Sequence, residues 1–507
     1  MKVHADTVPY WIDSAPLPRF PKLDRDDHVD VCIVGGGITG LTAAYLLTAA
    51  GKTVAVIERG RCAQVDTGHT SAHLTMVTDS RLTELVKRFG RDHAQAIWDS
   101  GLAALTQIET IVSEHQIECG FARVPGCLFA AIGADPHREI ESLQADASLA
   151  TDLGFDATFV ENIGVGGRPG VRFANQARFH PRKYLAGLVR VITDRGGMIF
   201  EDTSAEEFSE RPAAVKANGY TLSCGDIILA THTPLVGNAG LLGATLLQTK
   251  LALYSTYVVG GRAGKNRIPD ALYWDTSDPY HYLRVDPHRD HDFVIFGGED
   301  HKTGQADDTS ACFARLERTL RSVIDDVEIT HRWSGQVIET VDGVPYVGET
   351  AERQFTGTGF SGNGMTFGTL TAIMAADHIL GVPNPWSELF EPGRKKILGG
   401  AWDYIKENKD YPYYMLRDRL AGAEARSVRE IPRGSGRVLS LNGQRVAVYR
   451  DENGAVQKRS AVCTHMGCIV DWNDAERTWD CPCHGSRFRP DGSVIGGPAE
   501  SPLSPAD

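Results

Sequence analysis

The chain has 507 residues, long enough for two or three domains with cores of their own. Its 52 Lys and Arg stand against 65 Asp and Glu, a net charge of −13 with no basic cluster, which argues against nucleic acid and anionic membrane as partners. No apolar run reaches the length of a bilayer span, and ten cysteines in a chain of this length do not make a secreted disulfide scaffold.

Residues 1–27 contain Pro9, Pro16, Pro18 and Pro21 and read as an extended arm packed on the surface of the next domain. The same stretch has neither an apolar signal core nor twin arginines, so a soluble, cytoplasmic protein is expected. Val29 to Val34 is a short apolar strand that runs into Gly35-Gly-Gly37-Ile-Thr-Gly40. A helical stretch stopped by Gly51 comes next, and then a second strand that ends in Glu58. Strand, Gly-x-Gly-x-x-Gly, helix, strand and acid form the dinucleotide fingerprint in its proper setting. Gly35 makes the tight turn, Gly37 lets backbone approach a pyrophosphate, and Gly40 lets the helix sit close on the strand. Free N–H groups at the helix start would hold phosphate oxygens, and Glu58 is placed for the ribose hydroxyls.

Residues 80–160 carry helix-period patterns, for example Ile97, Leu102, Leu105, Ile108 and Val112. Asn218-Gly219 is a hairpin signal. Residues 245–300 read as strands of a mixed sheet that covers the cofactor and forms a substrate pocket. The glycines of Val258 to Gly264 are not followed by a helix and read as a strand-ending turn, so no second nucleotide site is expected. Gly357, Gly359, Gly362 and Gly364 precede the helical stretch TFGTLTAIMAADHIL, which exposes a second helix N-terminus where partial negative charge can rest. From Trp386 to about Arg433 the periodicity weakens and charge rises, as in a linker with one or two helices.

Residues 434–507 alternate in short strands and carry two loops, Cys463-Thr-His465-Met-Gly-Cys468 and Cys481-Pro-Cys483-His484-Gly-Ser486. Two thiolates and two imidazoles in this arrangement are the ligand set of a Rieske [2Fe–2S] cluster, with Cys463 and Cys481 on one iron and His465 and His484 on the other. Zinc is the rival. Zinc sequences usually pair Cys with Cys or His with His, whereas each loop here supplies one of each.

These loops resemble the Rieske proteins of cytochrome bc complexes. The resemblance implies that Cys468 and Cys483 form the disulfide that clamps the loops, that Gly496 to Ala499 is the proline loop shielding the cluster, and that Ser486 donates a hydrogen bond toward it. Phe488 stands where the quinol-oxidising relatives carry a tyrosine. The lost hydroxyl should lower the potential, which puts quinol oxidation in question.

The segments Arg332 to Gly335, Thr340 to Gly348 and Gly357 to Thr366, with Phe179 to Tyr184 and Ile227 to Thr231, resemble the flavin-binding parts of the D-amino-acid oxidase, glycine oxidase and sarcosine oxidase superfamily. The resemblance runs from about residue 28 to 385 and implies FAD, held by Gly35, Gly37, Gly40, Glu58, Thr231, Gly359, Gly362, Asn363, Gly364, Met365 and Thr366. The implied fold is an α/β FAD-binding, Rossmann-like domain of the glutathione-reductase type with an interleaved α+β substrate domain, followed by a small all-β Rieske domain. The FAD-binding parts would be about 28–79, 165–235 and 333–385, and the substrate parts about 80–164 and 236–332. Residues 386–433 would be linker and 434–507 the Rieske domain.

In the pocket, Arg284 is the best anchor for a substrate carboxylate, because guanidinium binds carboxylate with two parallel hydrogen bonds. Tyr282 and His281 are the other catalytic candidates, with Trp274 and Trp333 as candidate wall residues, although aromatics in strands are more often core. His69 and His73 lie near where some sarcosine and dimethylglycine dehydrogenases attach flavin covalently, and a structural role is the simpler reading of both. A flavin takes two electrons and a [2Fe–2S] cluster carries one. The expected activity is oxidation of an amine or amino acid, with electrons leaving singly to an external one-electron acceptor. The rivals are a reductase or monooxygenase fed by a ferredoxin-like donor, and a non-catalytic redox sensor using Cys468 and Cys483.

Overall fold

The period-two apolar strands and the helix between them build the first layer as the sequence implies. The computed structural model describes residues 8–235, 247–306, 308–394, 427–441 and 443–506. An eight-stranded sheet has the strand Asp27–Val34 at its centre, paired in parallel with Val54–Ile57 on one side and Tyr220–Leu229 on the other. Met198–Phe200 and Gln354–Thr358 extend it in parallel, and Tyr346–Ala351 adds an antiparallel edge. The hairpin signal at Asn218-Gly219 joins Ala213–Ala217 to Tyr220–Leu229. The helices Ile38–Ala49 and Gly364–Leu380 pack on each other, and their N-terminal ends lie at one end of the sheet. Open α/β sheets bind ligands at that end.

A second, nine-stranded sheet stands beside it in the order Glu328–Thr340, Leu251–Ala263, Asp292–Lys302, Tyr282–Pro287, Leu272–Asp275, Ala122–Phe129, Gly170–Arg178 and His73–Leu74, with Ala157–Val160 paired to Gly170–Arg178. The helices Leu82–Phe89, Arg91–Glu114 and Ile140–Asp152 lie in the region 80–160 where helical periodicity is expected, and the strands Ala122–Phe129 and Ala157–Val160 interrupt it. Two strands cross the expected partition. Gly170–Arg178 pairs with Ala122–Phe129, and Glu328–Thr340 pairs with Leu251–Ala263 along its length, so both belong to this second sheet. Gly260 and Gly261 are not a strand end either. The strand Leu251–Ala263 runs through them with a register shift between the two, and a Cβ on Gly261 would lie 2.5 Å from the Glu328 carbonyl oxygen.

The arm is more deeply embedded than its prolines suggest. Tyr10–Ser14 is a short helix that buries Trp11 completely, with the indole N–H donating to the Thr70 carbonyl oxygen at 2.7 Å. Burying an indole of this size outweighs the extended preference of the flanking prolines. Of the expected linker, residues 395–426 lie outside the described residues, and the helix Ser387–Phe390 is its described start. The C-terminal part holds a three-stranded sheet, Ser435–Leu441, Gln444–Arg450 and Val456–Ser460, and a four-stranded sheet from Asp471–Asn473 to Val494–Gly496. They close on a core that contains Val438, Ala447, Trp479 and Phe488.

Candidate functional site

The chain leaves the strand Asp27–Val34 through Gly35, whose φ is +110° and whose Cβ, if present, would sit 2.3 Å from the Ala230 carbonyl oxygen. Only glycine satisfies both conditions. A Cβ on Gly40 would lie 1.9 Å from the Gly35 carbonyl oxygen, so the helix starts tight against its strand. Gly37, Ile38 and Thr39 at that start line a cavity of about 440 Å³. Glu58 and Thr231 line it too. The Glu58 carboxylate accepts from the N–H of Gly36 at 2.9 Å and of Gly60 at 2.8 Å. Burial pushes its carboxyl up, and these two bonds pull against that rise.

Gly362, Asn363, Gly364 and Met365, at the start of the second helix, line the same cavity. Asn363 donates to the carbonyl oxygens of Val77 at 2.9 Å and Thr75 at 3.3 Å, and the Thr366 hydroxyl donates to Thr75 O at 2.9 Å. These bonds hold the helix start against the segment after the first βαβ unit. Gly359, with φ +75°, shapes the turn behind the wall. A glycine-floored cavity facing two helix N-termini fits an anionic dinucleotide.

In the C-terminal part, Cys463 and Cys481 are buried, and the rings of His465 and His484 meet edge to face at 5.0 Å between centroids. The Cys463 thiol is drawn down to about 7. A hydrogen bond shared with Cys481 is the main cause, and the N–H groups of His465 and Met466 and the Ser486 hydroxyl also act against burial. The same shared bond, together with burial, pushes the Cys481 thiol up, so the pair favours one thiolate, and a metal that binds both sulfurs would displace the remaining proton. Cys468 and Cys483 form a disulfide that ties the two loops together. Ser486 Oγ accepts from the Ala499 N–H at 3.1 Å, and a Cβ on Gly497 would lie 2.6 Å from Gly485 O, so the Gly496 to Ala499 strip lies directly on the second loop. Phe488 is fully buried in the core beneath it.

Three glutamines of the larger body fasten these loops. Gln336 lines the cavity and donates its side-chain amide to Gly485 O at 2.8 Å. Gln305 donates to Pro482 O at 2.9 Å. Gln248 donates to Pro234 O at 2.7 Å, while its Oε1 lies 3.2 Å from His465 Nε2. Gly304 sits so close that a Cβ there would be 2.8 Å from the Cys481 carbonyl carbon. Arg59, next to Glu58, donates to Ile495 O at 2.8 Å, and Ile495, Gly496 and Gly497 line the same cavity.

The sequence profile of the FAD dependent oxidoreductase family, DAO, matches residues 30–378. The chain belongs to this family. The profile of the Rieske [2Fe-2S] domain matches residues 423–506. A Bacillus subtilis (strain 168) relative named as a Rieske 2Fe-2S iron-sulfur protein, YhfW, is 33% identical over 505 residues, covering 98% of this chain and 97% of its own. Gamma-glutamylputrescine oxidoreductase of Escherichia coli (strain K12) is 23% identical over 445 residues, covering 82% of this chain and 99% of its own. The crystal structure of glycine oxidase from Geobacillus kaustophilus superposes with a TM-score of 0.60 at 18% identity, over 73% of this chain and 99% of that one, which establishes the shared fold. This DAO-family protein is therefore an FAD-dependent oxidoreductase with a Rieske [2Fe–2S] domain, and its cofactors are FAD and that cluster. Among the described residues no helix is long and apolar enough to cross a membrane.

Of the catalytic candidates, Tyr282 lines the cavity, with its hydroxyl 2.8 Å from the Thr256 hydroxyl. His281 stacks on Phe296 and engages Asp275 through Nδ1 at 3.0 Å, which ties it to the wall behind the cavity. Arg284 is a correction. It is 1% exposed, and its five N–H groups go to Asp286 Oδ1 and to the carbonyl oxygens of Ala72, Ser71 and Phe179. It lies against Trp11, 4.9 Å from the ring centroid, and has no donor left for a substrate carboxylate. Trp274 lines the cavity, whereas Trp333 is buried and donates to His69 O at 2.9 Å. His69 and His73 both line the cavity. His69 Nδ1 is 2.7 Å from Val65 O, and both ring nitrogens of His73 are engaged, by Ser71 Oγ and Leu283 O. Sequence reasoning missed the three glutamines and a carboxylate on the cavity wall, Asp300. A lone Gln or Asp carries no spacing signal that would mark it.

Proposed function

We propose that the protein oxidises an amine or amino acid at its flavin and releases the electrons one at a time through its own Rieske cluster. Bound FAD would accept a hydride and the cluster would carry single electrons onward. On this reading Gly35, Gly37, Gly40, Glu58 and Thr231 hold the adenosine and pyrophosphate half of FAD. Gly359, Gly362, Asn363, Gly364, Met365 and Thr366 present the second helix N-terminus to the ring, where negative charge would develop. Cys463 and Cys481 hold one iron and His465 and His484 the other. The body of 28–385 and the cluster domain of 434–507 then act as one unit. The external partner is a small one-electron carrier of the ferredoxin kind.

The observation that carries this reading is Gln336, one side chain that lines the flavin cavity and also bonds the backbone next to His484. Contact of this kind is what intramolecular electron exchange requires. The test is anaerobic mixing of the holoenzyme with a panel of amines and amino acids, following flavin bleaching optically and the reduced cluster by EPR. Bleaching followed by the cluster signal is expected. Bleaching with no cluster signal would remove the cluster from the path, and no bleaching with any member of the panel would remove the proposed substrates.

A further inference from the structure

The cavity wall carries a carboxylate outside the residues assigned above to FAD and the cluster. Asp300, near the end of the strand Asp292–Lys302, lines the cavity beside Thr256, Tyr282 and Gln336. Its Oδ1 is buried and has no hydrogen-bond partner among the described residues. Asp79 lines the same region. Its two oxygens accept from the Tyr280 hydroxyl at 3.2 Å and the Gly362 N–H at 2.6 Å, and its charge is felt at Asp300. The other charged groups that act on Asp300 are His281, held by Asp275, and Glu299, held by Arg315.

Positive charge is engaged elsewhere. Arg284 is committed to Asp286 and to backbone. Of the three arginines that line the cavity, two are paired with carboxylates and the third stands beside Glu58. Arg81 is paired with Asp146, Arg61 with Glu201, and Arg59 donates to Ile495 O. No lysine lines the cavity among the described residues. A substrate carboxylate placed beside Asp300 would therefore meet two acids, while the cavity's one guanidinium without a carboxylate partner among the described residues, Arg59, stands at the Glu58 end, so binding beside Asp300 carries a cost of like-charge repulsion and desolvation. A substrate ammonium would meet an unpaired carboxylate oxygen, a second carboxylate nearby, and the aromatic side chains of Tyr280, Tyr282 and Trp274.

We infer that the substrate is an amine cation without an α-carboxylate, and that Asp300 receives its ammonium group as the specificity-determining residue of the pocket. This rests on the reading of the cavity as the place of amine oxidation and narrows its substrate class. Burial, with the Asp79 charge adding to it, pushes the Asp300 carboxyl up to about 7 against the pull of its Thr256 hydrogen bond. A group with that surplus of unfavourable charge gains from a bound cation, and the ammonium can pass its proton to the Asp300 carboxylate before hydride loss, which leaves the nitrogen lone pair free and the carboxyl neutral.

The test uses the oxidised holoenzyme and two probes of similar shape and opposite charge, benzyltrimethylammonium and phenylacetate, titrated against the flavin absorption spectrum. Benzyltrimethylammonium has no nitrogen lone pair to support hydride loss, so binding is read without turnover. The wild type is expected to bind the cation more tightly than the anion. Asp300→Asn should weaken cation binding by about thirty-fold or more, and Asp300→Glu, which keeps the charge, should retain the preference. Tighter binding of phenylacetate, or cation affinity unchanged in Asp300→Asn, would overturn the inference. If cation binding behaves as expected but no amine or amino acid bleaches the flavin, recognition by Asp300 stands and the oxidation reading falls.

Discussion

The side-chain amide of Gln336 donates to the carbonyl oxygen of Gly485 at 2.8 Å and also lies 3.1 Å from the Thr303 hydroxyl. Gln336 belongs to a strand that walls the cavity proposed for the flavin, and Gly485 is the residue after the cluster-loop histidine His484. The two parts of the chain therefore meet through the loops that carry the candidate iron ligands. Gln248 and Gln305 repeat the pattern at His465 and Pro482. All three use neutral amides, which hold a contact without placing a net charge beside the cluster.

Gln336→Leu keeps the volume and removes the donor. It leaves the buried Gly485 carbonyl oxygen unsatisfied, at about 1–3 kcal/mol. The expected outcome is slower appearance of the cluster EPR signal after substrate mixing, with flavin bleaching at its wild-type rate. Equal slowing of both signals would place Gln336 in substrate handling instead.

Gly40→Ala would drive a methyl group to 1.9 Å from Gly35 O, a backbone atom that cannot swing aside. The helix start has to shift away from its strand, at about 1–3 kcal/mol. The variant should purify with its cluster and without its yellow flavin colour, because the distortion falls on the dinucleotide cradle alone. Full flavin occupancy would show that the close approach is not needed for binding.

The parts of the site legible in the sequence are contiguous. Gly35 to Glu58 and Cys463 to His484 carry their chemistry in spacing, since neighbouring residues must turn backbone or converge on one metal. The illegible parts depend on chain segments far apart meeting. Tyr282 and Arg284 project to one face of their strand by period-two geometry, and the sequence offers both to the pocket. The N-terminal arm decides between them, because its buried Trp11 covers Arg284 and leaves Tyr282 at the cavity. Taking the arm for surface peptide and Arg284 for a substrate anchor is thus a single error. Asp300 escapes a linear reading for the same reason, because only the paired strands around it show that its Oδ1 has no partner among the described residues.

The disulfide between Cys468 and Cys483 spans a sequence separation of 15 and joins both cluster loops. Cys468→Ser together with Cys483→Ser should cost the C-terminal domain about 3 kcal/mol, the chain-entropy value for a loop of that length. Bleaching of the visible cluster spectrum on heating reads this directly, and the flavin should be released at its wild-type temperature. A cluster as heat-resistant as the wild type would mean that the loops are held by the three glutamines and the Gly496 to Ala499 strip without the covalent tie.

His73 gives the larger body an acid-labile element. It is 8% exposed, and burial, reinforced by the Arg284 charge, lowers its imidazole to about 3. An unfolded histidine titrates near about 6.5. Between those values the unfolded chain binds a proton that the folded chain refuses, so stability falls as pH drops through that window and the contribution is fully present above about 6.5. The accumulated loss at the acid end is on the order of a few kcal/mol. His73→Gln keeps a polar side chain and removes the titration. Urea midpoints measured for the apoprotein from pH 7 down to pH 4 should fall steeply in the wild type and more gently in the variant. Parallel curves would mean that His73 takes up a proton in the folded state as readily as in the unfolded one, and that the acid sensitivity arises elsewhere.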